Sequence, residues 1–175
     1  MGLNGDHRIE IIVGDITKLN VDAVVNAANG RLAGGGGVDG AIHRAAGDQQ
    51  LQQACRRLGG CPTGEARMTP GFRLPAKAII HTVGPVWRGG SHGEAEALRS
   101  CYRRSIELAI DQGYRSIAFP AISCGVYGYP HQAAVHIAVS EVRACLDQGL
   151  PLDRVVFCCF SDAMADLYRE ALASR

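Results

Sequence analysis

Apolar residues occur along this chain in two rhythms. Short, nearly continuous runs cover Arg8 to Val13, Val21 to Ala27, Glu65 to Thr69, Ala78 to Val83, Ser116 to Ala121 and Arg154 to Phe160. Several are rich in β-branched residues, and turn formers such as Gly14-Asp15, Pro70-Gly71 and Gly84-Pro85 bound them, as expected of strands. Between the runs, apolar positions recur every three or four residues. From Glu94 to Gln112 the stripe is Ala97, Leu98, Cys101, Tyr102, Ser105, Leu108 and Ala109, with Gly113 as the terminator. From His131 to Gln148 it is Ala134, Val135, Ala138, Val142, Cys145 and Leu146, ending at Gly149. Helices are also predicted from Val38 to Ala46, from Asp48 (as N-cap) to Leu58, and from Asp162 to Leu172.

Strands that alternate with helices predict an α/β fold, a three-layer αβα sandwich around a mixed, largely parallel central sheet. The strand runs are continuous rather than alternating, so both sheet faces are expected to be covered. In such sheets the ligand crevice lies beyond the strand carboxyl ends. The loops to inspect are therefore Asn26-Ala27-Ala28-Asn29 after the second run, Ser123 to Tyr127 after the fifth, and Phe160 at the end of the sixth. With 175 residues and no linker, repeat or low-complexity tract, one domain spanning 1–175 is expected, with its core at about 8–173.

Composition narrows the function. The formal net charge is +1, so no basic excess attracts nucleic acid, and a bound phosphate would rest on backbone amides rather than on Lys or Arg. No apolar run approaches the span of a bilayer. The Met1 to His7 segment has no apolar core of a secretory signal, and Asp6 stands where a myristoylation site at Gly2 would need Ser or Thr. The seven cysteines are odd in number and lack C-x-x-C spacing, which fits reduced, mostly buried thiols and a cytoplasmic location. His81, His131 and His136 sit on segments that pack or face water equally well, and no Cys/His cluster has ligand spacing, so no metal is expected. A monomer without a cofactor is expected. Arg56-Arg57 and Arg103-Arg104 read as solvated helix faces, and Trp87 as packing.

The densest chemistry lies in Gly34-Gly35-Gly36-Gly37-Val38-Asp39-Gly40, between a strand and a helix. A glycine-rich turn that opens a helix can hold phosphate, because bare N–H groups point outward at the positive end of the helix dipole. Gly35, Gly37 and Gly40 satisfy G-x-G-x-x-G, but the turn follows the second strand, not the first, and no acid ends a following strand at the required distance. No Gly-Lys-Ser/Thr follows either. Asp39, in the first helical turn, either complements the dipole or takes a proton from water beside bound phosphates. Asn26 and Asn29 serve as turn formers or as site residues. Asp15 is a turn cap or an acceptor for an exocyclic amine. Ser123-Cys124-Gly125-Val126-Tyr127 is a second small loop before a helix, without the Gly-x-Ser-x-Gly of a nucleophile elbow. Cys124 has no evident base partner, and its amide is expected to matter more than its sulfur.

Taken in order, Gly14-Asp15-Ile16-Thr17, Val25-Asn26-Ala27-Ala28-Asn29, Gly34 to His43, Cys61-Pro62-Thr63-Gly64, His81-Thr82-Val83-Gly84-Pro85 and Pro120 to Pro130 resemble the macrodomain family, in its bacterial MacroD-type branch. The resemblance runs from about Arg8 to the last helix. It implies an ADP-ribose site in which Asp15 and the Ile16 amide meet adenine and Phe160 lies against it. The amides of Gly36, Gly37 and Val38 would face those of Ser123, Cys124, Gly125, Val126 and Tyr127 across the diphosphate. Asn29 and Asp39 would stand at the distal ribose, with Tyr127 packed nearby. Two positions depart from the branch, which usually has Ser-Thr-Gly in place of Ser123-Cys124-Gly125 and often Tyr in place of Phe160.

The resemblance implies a hydrolase of esters on the distal ribose, acting on ADP-ribosylated Asp or Glu and on O-acetyl-ADP-ribose, and the expectation is that it works without metal, its water positioned by Asp39 and the diphosphate. Asp39 and Asn29 are the expected catalytic residues. The competing readings are a non-catalytic ADP-ribose reader and, on the glycine pattern alone, a nicotinamide-dependent oxidoreductase. The expected partner is ADP-ribose or an ADP-ribosylated protein or metabolite, with nucleic acid entering only through ADP-ribosylated ends.

Overall fold

The computed structural model describes residues 6–174, so the readings made on Met1 to Gly5 lie outside the described residues. Six strands form one mixed sheet: β1 (Ile9–Val13), β2 (Ala23–Ala27), β3 (Ala66–Pro70), β4 (Ala78–Thr82), β5 (Ser116–Phe119) and β6 (Arg154–Cys159). Their order is β1-β6-β5-β2-β4-β3, and every neighbouring pair is parallel except β3 with β4. The α-helices are α1 (Gly37–Ala46), α2 (Asp48–Leu58), α3 (Glu94–Asp111), α4 (His131–Asp147) and α5 (Asp162–Ala173), and a short 3-10 turn covers Ile16–Lys18.

The continuous apolar runs resolve into two cores, because successive strand side chains point to opposite faces. On one face Val25, Ile80, Ile117, Phe119, Val155 and Phe157 pack with Leu98, Tyr102 and Ile106 of α3, Val135 and Val142 of α4, and Tyr168 of α5. On the other, Val24, Ile79, Ala118 and Val156 pack with Ile42 of α1 and Leu51 and Cys55 of α2. Each strand thus needs apolar residues at consecutive positions, and the three-layer sandwich follows.

The ends differ from the sequence reading in small ways with clear causes. β5 stops at Phe119, so Pro120 and Ala121 belong to the loop above it. β3 includes Pro70, which an edge strand tolerates because one row of its backbone groups needs no ladder partner. Asp48 is the first residue of α2 rather than its N-cap, which is Gly47. Gly113 and Gly149 take left-handed backbone just beyond the ends of α3 and α4, at φ +78° and +84°. Arg103 is not a merely solvated residue: its Nε donates to Glu141 Oε2 at 2.7 Å and ties α3 to α4. Trp87 does pack, against the Tyr129 ring with centroids 4.7 Å apart.

Candidate active site

The carboxyl ends of β2, β5 and β6 open into a single cleft of about 710 Å³. The turn after β2 and the start of α1 form one wall, the Ser123–Tyr127 loop forms the other, and Phe160 stands at one end. The tetraglycine segment and the Ser-Cys-Gly segment therefore face a shared space, as the resemblance implies.

In the first wall, Gly36 caps α1 with no side chain, and Gly34 and Gly37 adopt φ +82° and +58°, which glycine takes without steric cost. The N–H groups of Gly37, Val38 and Asp39 have no acceptor among the described residues, as expected of the first turn of a helix. Gly40 is bare for a packing reason: a Cβ there would lie 2.4 Å from the Gly35 carbonyl oxygen. Asn29 braces the turn. Its Nδ2 donates to Gly34 O at 2.9 Å, and its Oδ1 accepts from Ala33 N at 3.1 Å. One N–H and one lone pair of the Asn29 carboxamide remain for another partner.

The second wall is pinned at several points. Ser123 sits at φ +67°, unusual for a residue with a Cβ, and is held there by Oγ donating to Pro85 O at 2.8 Å and by Tyr129 N donating to its carbonyl at 3.0 Å. Trp87 N donates to Tyr127 O at 2.8 Å, and His131 Nε2 to Cys124 O at 2.9 Å. Behind Trp87, buried Glu94 gathers its own segment. Burial alone would raise this carboxyl, but the N–H groups of Arg88, Glu94 itself, His92 and Gly90 take it down to about 2. The N–H groups of Ser123, Gly125, Val126 and Tyr127 are unengaged among the described residues. That of Cys124 closes a turn onto Ala121 O at 3.2 Å, so it is not an open donor as the sequence reading supposed. The Cys124 thiol is pushed up to about 12 by burial and by nearby Cys159, which argues against a reactive sulfur.

At the foot of the glycine wall Asp39 is buried, 7% exposed. Its Oδ1 accepts from Asn26 Nδ2 at 2.8 Å and lies 3.3 Å from His43 Nε2. Oδ2 has no partner among the described residues. A Cβ on Gly35 would stand 3.6 Å from Asp39 Oδ2 and 4.0 Å from Asn29 Nδ2, so the two side chains flank this bare residue. Asn26 is fully buried and does not line the cleft; the expectation that it touches ligand gives way to a place behind Asp39. Its Nδ2 also lies 3.1 Å from His81 Nδ1, and its Oδ1 has no partner, a burden of about 1–3 kcal/mol.

Asp15 and Ile16 are not lining residues either. The Asp15 carboxylate is exposed and caps the 3-10 turn, accepting from Thr17 Oγ1 at 2.6 Å and from Thr17 N at 3.0 Å, and the first of these bonds lowers it most. It does neighbour lining residue Cys158, whose thiol is raised to about 11 by burial and then by Asp15, so Asp15 borders the cleft near Phe160. Ile16 is buried beneath it. Phe160 and Val126, 76% and 100% exposed, present apolar surface at the cleft. His43, four residues after Asp39, had a helical-spacing signal; the places of His81, Cys159, Met164 and Leu167 had none. Among the described residues no three His, Cys, Asp or Glu side chains gather as a metal site.

A family model described as "Macro domain" matches residues 25–138. The chain is 61% identical over 166 residues to a macro domain-containing protein of Chlorobaculum tepidum, covering 95% of this chain and 96% of that one. It is 56% identical to a Klebsiella pneumoniae protein named O-acetyl-ADP-ribose deacetylase, covering 94% and 96% of the two chains. Among solved structures, a mutant Oceanobacillus iheyensis macrodomain with ADPR superposes at a TM-score of 0.89, with 45% identity and coverage of 94% of this chain and 91% of that one. Trypanosoma brucei macrodomain in complex with ADP-ribose does so at 0.87, with 46% identity and coverage of 94% and 69%.

Proposed function

We propose, because the chain belongs to the macro domain family, that it binds ADP-ribose and hydrolyses esters on the distal ribose, among them O-acetyl-ADP-ribose. The observation that carries the reading is one cleft with two facing sets of unengaged main-chain N–H groups and a buried carboxylate between a braced Asn and a helix start. The name of the Klebsiella relative and the ligands of the solved neighbours support it.

In this reading the amides of Gly36, Gly37 and Val38 grip the diphosphate from one side. Those of Ser123, Gly125, Val126 and Tyr127 grip it from the other, with no cationic side chain required. Phe160 offers a ring face to adenine, and Asp15 with Ile16 borders that end. The distal ribose comes to rest near Asn29 and Asp39. Asn29 uses its remaining N–H and lone pair on the sugar hydroxyls. Asp39 takes a proton from a water whose oxygen bonds to the ester carbonyl carbon. When the acyl–oxygen bond breaks, the proton passes to the ribose oxygen, leaving a free carboxylic acid and ADP-ribose. Holding water and ester together supplies most of the acceleration, on the order of 7–11 kcal/mol in favourable cases. The base adds about 10²–10⁴-fold.

The test is Asp39→Ala, with hydrolysis of O-acetyl-ADP-ribose followed beside calorimetry with ADP-ribose. Turnover is expected to fall about 10²–10⁴-fold, with binding largely kept. Hydrolysis near the wild-type rate would remove Asp39 from the chemistry. Binding without turnover by the wild type would make the protein a reader.

A further inference from the structure

A buried polar chain runs from Asp39 beneath the glycine wall. It runs from Asp39 Oδ1 to Asn26 Nδ2 (2.8 Å), from the same Nδ2 to His81 Nδ1 (3.1 Å), and from His81 Nε2 to Thr69 Oγ1 (3.0 Å). All four residues are buried, and Asn26 and His81 are 0% exposed. The chain exists because strand pairing sets Asn26 of β2 beside His81 of β4, while Thr69 of β3 lies on the far side of the imidazole. Cys55 Sγ, 4.0 Å from Nε2, and the His43 ring, 6.5 Å between centroids, complete its polar surroundings.

The hydrogens in this chain admit one arrangement. Asp39 only accepts, so the carboxamide turns its nitrogen toward it; reversed, Oδ1 would face a carboxylate oxygen. The second hydrogen on Nδ2 then points at His81 Nδ1, which must carry a lone pair. The imidazole is neutral, its proton is on Nε2, and that N–H donates to Thr69 Oγ1. Burial, and next the neighbouring His43 side chain, lower His81 to about 4 against an opposing pull from Asp39, so the ring keeps this form at neutral pH. With His81 as its second acceptor, the Asn26 amide is fixed at two points, and one hydrogen stays aimed at Asp39 Oδ1. Asp39 Oδ2 is left as the oxygen facing Gly35. The unsatisfied Asn26 Oδ1 marks an orientation set by its neighbours rather than by its own best bonding.

We infer that His81, in the tautomer fixed between Asn26 and Thr69, is a positioning residue that acts through Asn26 to hold Asp39 in its working orientation. The inference rests on the hydrolase reading above only for its kinetic consequence.

The experiment compares His81→Phe, His81→Gln and Thr69→Val with wild type. It measures kcat and KM for O-acetyl-ADP-ribose, Kd for ADP-ribose, and exchange of the Asn26 carboxamide protons by NMR. His81→Phe removes the acceptor. Its kcat should fall roughly tenfold or more, as small misplacements of reacting groups do, with Kd within about threefold and faster amide exchange. His81→Gln offers a carboxamide oxygen to Asn26 and should recover most of the kcat. Thr69→Val, nearly isosteric, frees the tautomer and should fall between. Folded His81→Phe with wild-type kcat and wild-type exchange would overturn the inference. If that variant does not fold, the same result in Thr69→Val would do so. If the wild type itself shows no turnover, the hydrolase reading fails separately, and the Asn26 exchange rates still decide whether His81 holds the amide.

Discussion

The two walls of the cleft present the same kind of open main-chain donors on different support. The glycine wall stands on buried polar groups: Asp39, Asn26, His81 and Thr69 lie beneath it, and Asn29 braces its turn. The serine wall stands on packed rings and on hydrogen bonds to its own carbonyls, with Trp87 against Tyr129 and Ser123 locked to Pro85. Both leave main-chain donors open to the cleft. A polar foundation responds to protons, whereas a packed foundation responds to added volume. The comparison predicts that acid disturbs the first wall and steric insertion the second.

The largest effect should come from acid. His81 is lowered in the fold from 6.5 to about 4, chiefly by burial. Above pH 6.5 neither state holds the proton and stability is unaffected. As pH falls below 6.5 the unfolded chain takes up a proton that the folded chain refuses, so stability is lost progressively until about pH 4. Two and a half pH units at about 1.4 kcal/mol each give a loss on the order of 3 kcal/mol. Urea unfolding of wild type and His81→Phe between pH 7 and 4 checks this, since the variant should lack that part of the slope. Parallel slopes would detach the glycine wall's foundation from proton uptake.

Next comes Gly84→Ala. A Cβ there would sit 2.2 Å from Ser123 Oγ and 2.7 Å from Ile122 Cγ2, so the serine wall must move. A stability loss of about 1–3 kcal/mol is expected for such overpacking. ADP-ribose affinity should fall by about tenfold or more, equivalent to at least 1.4 kcal/mol, read by calorimetry. Unchanged affinity would show that this wall tolerates displacement.

The smallest change in stability belongs to Gly35→Ala. Its Cβ meets Asp39 Oδ2 and Asn29 Nδ2 at 3.6 and 4.0 Å, ordinary contact distances, and Gly35 has no positive φ to forbid a side chain. Restricting the unfolded chain should even stabilise the fold, by about 0.4–1 kcal/mol. The methyl group nevertheless occupies the space between Asp39 and Asn29, so turnover should drop while the melting temperature holds or rises. A variant at least as stable and as active as wild type would show that this space is not where the ester sits.

Much of this is legible in the sequence, and the reason lies in which features are local. Glycine runs and strand-end loops advertise backbone chemistry within a few residues, so Gly34 to Val38 and Ser123 to Tyr127 each stood out, while their pairing as two sides of one site was implied only by the family resemblance. The apolar runs announced a sheet covered on both faces, because each strand feeds two cores. Strand order was not legible, since β1 lies beside β6 and β5 beside β2 through pairings that no local pattern encodes. The place of Asn26 behind Asp39 was not legible for the same reason. Its neighbour His81 is 55 positions away and meets it only through the β2–β4 register. Nor could sequence tell that the Cys124 amide is engaged in its own turn while its neighbours' amides are open.

The pairing of β1 with β6, Ile9 opposite Val155, has a consequence for how the molecule comes into being. In an emerging polypeptide β1 has no sheet neighbour until β6 has been synthesised, since long-range parallel pairing waits on the later segment. Phe160 and the start of α5 arrive with that same late segment. A nascent chain caught before this point has its glycine turn but lacks one end of the cleft, so the cleft is completed only when the sheet is.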